Sequence, residues 1–307
     1  MSRVVAHQFG VPSQFLAYEP CDMPAVDAGC ALVRMQASPI NPSDLIPVTG
    51  AYRHRTTLPF VPGFEGIGMV MDVGEGADRN LIGRRVLPLG TAGCWQTWKV
   101  LSADWCVAVP DDIDDERAAT AYINPLTALL MVRTLALRAG DAIGINAAGS
   151  AIGRMLVRMV AAAGARPFAI VRSRSAYDAL QDEPADVVRE GATLPPLNAG
   201  LDAVGGVSGA RLAAAIVPGG LLIHYGLMSG QPLRDAGKAK LMLFRLRDSV
   251  HAMPRAEFHA SMDKSFAEIR AGRASCSICA NYPLEAYRDA LAHNARDGRQ
   301  GKILLRP

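Results

Sequence analysis

The sequence predicts an α/β protein in two parts, a β-rich barrel or sandwich followed by a doubly wound parallel sheet. Three observations predict it. The first third is rich in Val, Gly and Pro, and its glycines and prolines recur at the spacing of short strands. From Asp114 onward the period changes to helix-length apolar segments alternating with short apolar runs, the pattern of a parallel sheet with crossover helices. With 307 residues, half of them hydrophobic, the chain can fill two moderate cores or one large one, and dominant disorder is excluded.

In order along the chain, Cys30 to Met35 (CALVRM) alternates as a strand. Gly63-Phe64-Glu65-Gly66-Ile67-Gly68-Met69-Val70 and Val73-Gly74 follow, their glycines suited to tight bends and close backbone approach. The β-rich part ends near Val107-Ala108-Val109-Pro110. Asp114-Asp115-Glu116 places carboxylates at a helix start, where the macrodipole favours them, and Ala118 to Tyr122 continues that helix. Pro125 is expected to break it, with Thr127 to Leu137 a second helix ending before Gly140. Asp141 to Ala148 reads as a buried strand, Gly149-Ser150-Ala151-Ile152-Gly153 as a turn, and Arg154 to Ala163 as an apolar helix. Further strands are Pro167 to Val171, Val187-Val188, Leu201 to Val204 and Leu221 to Tyr225, with a helix from Ser208 to Ile216. Helices around Phe258 to Arg270 and Leu284 to His293 and a strand Lys302 to Leu305 finish the chain. There is no internal repeat.

Composition narrows the function. The 32 Lys and Arg exceed the 29 Asp and Glu by three, a small excess spread along the chain, so no nucleic-acid partner is expected. No apolar run approaches the roughly 18 residues of a membrane span; Met155 to Gly164 is interrupted by Arg158 and reads as a core helix. MSRVVAHQFG lacks the charged and apolar regions of a secretory signal. Six cysteines without paired spacing suggest reduced thiols and a cytoplasmic protein, and Cys276 and Cys279 read as two ordinary thiols.

Two turns carry chemistry. Asn146 to Gly153 opens the first βαβ unit, where glycine lets backbone amides face a pyrophosphate at a helix N-terminus. Gly149 and Gly153 keep part of the G-x-G-x-x-G pattern, while Ser150 and Ala151 stand where glycine is common. After the next strand stand Arg172-Ser173-Arg174. An acidic residue at this point serves the ribose hydroxyl of NAD, whereas arginines accommodate a 2′-phosphate, so NADPH is favoured over NADH. The alternative is a solvated pair of surface arginines.

These turns, together with SPINPSD (Ser38 to Asp44), Gly50-Ala51-Tyr52, the Gly63 to Gly74 run, Asn124-Pro125-Leu126-Thr127-Ala128, Val204-Gly205-Gly206, Tyr225-Gly226-Leu227-Met228 and Gly301-Lys302, carry a resemblance over nearly the whole chain. The sequence resembles the zinc-independent medium-chain dehydrogenase/reductases, above all the mitochondrial-type NADPH-dependent 2-enoyl thioester reductases and their quinone oxidoreductase-like relatives. The resemblance implies a GroES-like catalytic domain over residues 1–117, completed by 256–307, and an inserted Rossmann NADPH-binding domain over 118–255.

It also implies roles. Tyr52 matches the proton donor; the alternative is a turn tyrosine packing its ring on the barrel. Asn124, Gly149, Ser150, Ala151, Ile152, Arg172, Ser173, Arg174, Tyr225, Gly226, Leu227, Met228 and Lys302 match cofactor contacts. For Leu227 and Met228 the alternative is ordinary core, and for Lys302 a cap on the final strand. Asn41, outside this set, reads either as a hydrogen-bonding group near the substrate or as a stabiliser of the turn before Pro42. No metal is expected: Phe64 and Asn41-Pro42 stand where zinc-dependent relatives place a ligating His and Cys, and a phenyl ring cannot ligate. The implied activity is NADPH-dependent reduction of an activated C=C bond in an enoyl thioester or enone, with hydride to the β carbon and proton to the α carbon. Alternatives are a quinone reductase that does not need Tyr52, an NADPH-binding sensor without turnover, and, third among enzymes, a zinc alcohol dehydrogenase. Arg53-His54-Arg55 depart from the small and Pro-rich residues expected beside Tyr52 and leave the substrate open. Lys238, Lys240, Arg245 and Arg247 read as a solvated helix face or as a contact for a phosphate-bearing carrier such as coenzyme A. A homodimer through the Rossmann sheet edge follows from the resemblance, and neither a membrane nor a nucleic-acid partner is expected.

Overall fold

A computed structural model describes residues 1–296 and 298–307. The chain forms two compact units, one of residues 1–123, 254–266 and 276–307, the other of 124–253 and 267–275. Residues 118–123 thus cluster with the first unit and 267–275 with the second, where the sequence reading divided the chain after 117 and after 255.

The first unit is built on β3 (Cys30–Pro39), ten residues long. It pairs antiparallel with β4 (Ile67–Val73), β6 (Trp98–Ser102) and β15 (Lys302–Arg306). The sheet runs β14 (Ile278–Pro283), β15, β3, β4, β5 (Arg85–Pro88), β7 (Cys106–Ala108). A separate hairpin joins β1 (Ser2–Ala6) to β2 (Leu16–Pro20) through the single turn α1 (Pro12–Phe15). Apolar residues at alternate positions fill the interior: Val33, Val70, Val86 and Leu101 on one side, Ile40, Trp95, Tyr287 and Ile303 on the other, all buried. Helices α2 (Pro42–Leu45), α3 (Asp115–Ala119), the first part of α9 (Arg255–Arg270) and α10 (Tyr287–Asn294) complete it. Asp114 caps α3, its side chain accepting from Arg117 N at 2.8 Å.

The second unit is a parallel sheet of β8 (Ala142–Ile145), β9 (Arg166–Val171), β10 (Asp186–Arg189), β11 (Leu197–Asp202), β12 (Ile216–His224) and β13 (Lys240–Leu243), in the order β10-β9-β8-β11-β12-β13. In order of appearance that is 3-2-1-4-5-6, the doubly wound dinucleotide-binding topology, with its switch between β8 and β11. The helices are α4 (Ile123–Leu135), α5 (Ala151–Ala162), α6 (Arg174–Asp178), α7 (Gly206–Ala215) and α8 (Leu246–Ala252). Met155, Leu156, Val157 and Val160 of α5 are fully buried, as the apolar run required.

Two local expectations are corrected. Pro125 does not break a helix: it lies in the first turn of α4, where its missing N–H costs nothing, and the interruption falls at 120–122. The basic residues from 238 to 247 do not share a helix face either. Lys240 opens β13, Arg245 precedes α8, and only Arg247 is helical. Among the described residues no helix is long and apolar enough to cross a membrane.

Candidate active site

In the second unit the chemistry begins where β8 ends. Ala147 adopts a left-handed φ of 48°, turning the chain into α5. Ser150 caps that helix, its Oγ accepting from Gly153 N at 3.1 Å. Ala151 and Ile152 are the first helical residues, so their N–H groups precede any intrahelical acceptor and, with the dipole, favour an anion. A Cβ at Gly153 would sit 2.5 Å from the Ala147 carbonyl oxygen, so glycine is what lets helix and strand approach. A Cβ at Gly149 would lie 2.9 Å from the Ala176 Cβ, which brings the 149–153 turn against the turn after β9.

That second turn holds Arg172, Ser173 and Arg174, all exposed. Ser173 caps α6 through Ala176 N at 3.1 Å, and Arg174 closes on Asp178 with both carboxylate oxygens within 2.9 Å. Arg172 makes no such pair among the described residues. The structure therefore gathers Gly149, Ser150, Ala151, Ile152 and Arg172 to Arg174 at the C-terminal edge of adjacent strands β8 and β9. Asn124 is half-buried in the first turn of α4.

Tyr225, Gly226, Leu227 and Met228 leave the end of β12. Tyr225 N donates to Asp202 O at 2.9 Å and Met228 N to Ala203 O at 3.0 Å, so the segment runs along the end of β11. Gly226 is needed there, since a Cβ would come within 2.6 Å of Ala203 O. Leu227 and Met228 are 52% and 67% exposed, which overturns the alternative of ordinary core. The Tyr225 hydroxyl is buried without a hydrogen-bond partner among the described residues, and burial pushes its pKa above the usual phenol range, making it a weaker acid.

One group that sequence reasoning passed over organises this edge. The fully buried Asp202, last residue of β11, accepts from Asn146 Nδ2 at 2.5 Å, Val204 N at 2.9 Å and Gly205 N at 3.0 Å. His224 Nδ1 lies 2.7 Å from its other oxygen. One carboxylate thus ties the ends of β8, β11 and β12 together. The sequence signal was an acid set inside the apolar run Leu201-Asp202-Ala203-Val204.

In the first unit Tyr52 lies on a run of turns, with Arg53 N donating to Gly50 O at 3.1 Å and Arg55 N to Tyr52 O at 3.0 Å. Its ring is half-buried beneath the Arg55 guanidinium, 4.1 Å from the ring centre. Its hydroxyl takes no hydrogen bond from the described residues. Lys302, expected at the cofactor, is buried, with Nζ on Asn41 Oδ1. Asn41 Nδ2 donates to Glu65 Oε1 at 2.8 Å, and Glu65 Oε2 accepts from Ile123 N at 2.7 Å. Asn41 thereby joins its own turn to the Gly63 loop. Asp44 accepts from Asn41 N at 2.7 Å and Phe64 N at 2.9 Å. Desolvation outweighs these bonds and pushes its carboxyl up to about 7; Glu65 is raised by the same cause. Among the described residues no three His, Cys, Asp or Glu side chains gather to hold a metal ion.

Residues 27–111 match the alcohol dehydrogenase GroES-like domain. Over 96% of this chain and 86% of the relative, the sequence is 31% identical to the mitochondrial enoyl-[acyl-carrier-protein] reductase of Mus musculus. The chain belongs to the medium-chain dehydrogenase/reductases, in their enoyl reductase and quinone oxidoreductase-like group. Within this family, a Bacillus thuringiensis protein assigned as an NADPH:quinone reductase superposes with a TM-score of 0.94 at 32% identity, covering 100% of this chain and 98% of that one. The Escherichia coli quinone oxidoreductase, solved with NADPH, shares the fold with a TM-score of 0.89 at 22% identity over the full length of both chains. GroES-like and Rossmann parts are thus the family's two units, and the chain is an oxidoreductase of this family.

Proposed function

We propose that the protein is an NADPH-dependent reductase of an activated C=C bond, a 2-enoyl thioester or enone, with Tyr52 as proton donor. The observation that carries this is the second unit's strand order together with what stands at its switch point. The capped α5 N-terminus, the Gly149 turn and the arginines after β9 form one contiguous edge. The exposed Leu227 and Met228 fit a group that covers them when bound.

NADPH, when bound there, supplies the hydride that reaches the β carbon. The N–H groups of Ala151 and Ile152 hold its pyrophosphate, and Arg172 and Arg174, flanking Ser173, hold its 2′-phosphate. Asn124 and the segment Tyr225 to Met228 orient the nicotinamide. Tyr52 Oη gives a proton to the α carbon, a task suited to a phenol facing an enolate. Lys302 acts through Asn41 rather than as a free cation, so its role toward the cofactor is to steady the Asn41–Glu65 loop. Phe64 and Asn41 at the positions of zinc ligands support a metal-independent reaction.

The likeness to the Bacillus thuringiensis protein favours quinone reduction as a second reading. A rate assay of NADPH and NADH, each against crotonyl thioester, a simple enone and a quinone, decides between them. Fast turnover of thioester or enone with NADPH alone supports the proposal; turnover of the quinone only selects the second reading; equal rates with NADH overturn the role of Arg172 and Arg174.

All four residues of β13 are exposed at the sheet edge, and Leu241, Met242 and Leu243 expose large side chains there. An unpaired apolar edge supports a homodimer formed through this strand. The six cysteines are all free thiols, which supports a reducing, cytoplasmic setting.

A further inference from the structure

Three consecutive basic residues, Arg53, His54 and Arg55, follow Tyr52, and all three are exposed. Several arginines of this chain close on acids, among them Arg3 on Glu19, Arg85 on Asp115, Arg158 on Glu183 and Arg273 on Glu268. Arg53 and Arg55 face no carboxylate within 4.0 Å among the described residues and are held by rings instead. The Arg55 guanidinium stacks 4.1 Å from the Tyr52 ring centre, and that of Arg53 lies 6.0 Å from the Phe9 ring. His54 meets Tyr52 edge-on at 6.4 Å. The turn fixes Arg53 further, since its Nε donates to Gly50 O at 3.4 Å, and Gly50 has a φ of 81° and little room for a Cβ, which would lie 3.1 Å from the Phe9 Cβ.

A guanidinium stacked on an aromatic face keeps its forked N–H edge for a planar or tetrahedral oxyanion. Two such forks without acidic partners set a positive field around the hydroxyl that donates the proton. An acceptor bearing its own anionic group gains twice from that field. The group binds there, and the negative charge that builds on the acceptor during reduction is stabilised before Tyr52 quenches it.

We propose that Arg53 and Arg55 form a subsite for an anionic group, carboxylate or phosphate, on the acceptor, so that the substrate is an anion-bearing electron-poor alkene. This rests on Tyr52 being the proton donor of the reductase reading.

Acetylacrylate and its methyl ester differ only in that charge. The wild-type kcat/KM should favour the acid by roughly tenfold or more, and R53Q and R55Q together should abolish the preference while R53K and R55K retain part of it. The acid-to-ester ratio is internal to each variant, so partial misfolding does not imitate the effect. Crotonyl-coenzyme A against crotonyl-pantetheine forms the second arm. A preference for the coenzyme A thioester that the same glutamines remove supports the anion subsite and places the anion on the carrier. Equal rates within both pairs, or preferences that survive both substitutions, overturn the proposal. Titration calorimetry with the unreactive levulinate and methyl levulinate separates the two claims. Arginine-dependent binding of levulinate with no reduction of any alkene keeps the subsite and discards the reductase reading. Reduction of both alkenes with no difference between acid and ester does the reverse.

Discussion

Tyr52 and Asp44 stand eight residues apart in sequence and further apart in kind: one is placed to give a proton, the other to keep one. Replacing Tyr52 by Phe removes the donor and leaves the ring under Arg55, so packing persists while proton transfer does not. Its kcat with an enoyl thioester should fall roughly a hundredfold or more, with the KM for NADPH unchanged; unchanged kcat would assign the quinone chemistry instead. Asp44 makes a separate prediction about pH. Its carboxyl titrates at about 7 in the native state and at an ordinary 3.8 when exposed. The native state therefore holds a proton that the unfolded chain has released, and through this group stability falls as pH rises between those values. Denaturant melts at several pH values should show wild-type protein losing ground to Asp44→Asn across that window; a constant difference would contradict the account. Neither Asp44 nor Asp202 was picked out from sequence. Their significance lies in partners 20 and 56 residues away, Phe64 and Asn146, which no local spacing reveals.

At the scale of the element, the α5 turn was legible because it is local. An apolar strand, a glycine-bearing turn and an apolar helix follow one another within about two dozen residues, and each is fixed by its own pattern. The Pro125 error came from the opposite condition. A proline reads identically whether it breaks a helix or opens one, and what decided it was the preceding stop at Thr120 to Tyr122. The short β13 was missed because KLML carries no alternation and pairs only with β12. Two tests belong here. Gly153→Ala should cost about 1–3 kcal/mol and weaken NADPH binding, since its Cβ meets the fixed Ala147 carbonyl rather than a yielding side chain. Arg172→Ala with Arg174→Ala should raise the Kd for NADPH by roughly tenfold or more and leave that for NADH in place. Loss of both nucleotides together would show that the turn, rather than the phosphate, depends on these arginines.

For the whole molecule, the class of fold was readable because two periodicities, one of strands and one of helices, occupy different stretches of the chain. The units exchange short segments, such as 267–275, that composition does not mark. Association is the prediction at this scale. Leu241→Lys with Leu243→Glu places charge on the bare edge of β13 and should convert a dimer to a monomer in analytical ultracentrifugation, with the strand order within the unit unaffected. Dimers that persist would move the interface elsewhere.

The most direct test of the chemistry follows the atoms. NADPH carrying deuterium at its reactive nicotinamide carbon, mixed with protein and an enoyl thioester in ordinary water, should give a saturated thioester with deuterium on the β carbon and a solvent-derived hydrogen on the α carbon. Deuterium on the carbonyl carbon, or an alkene returned intact while NADPH is consumed on another acceptor, would contradict the assignment of this protein as a double-bond reductase.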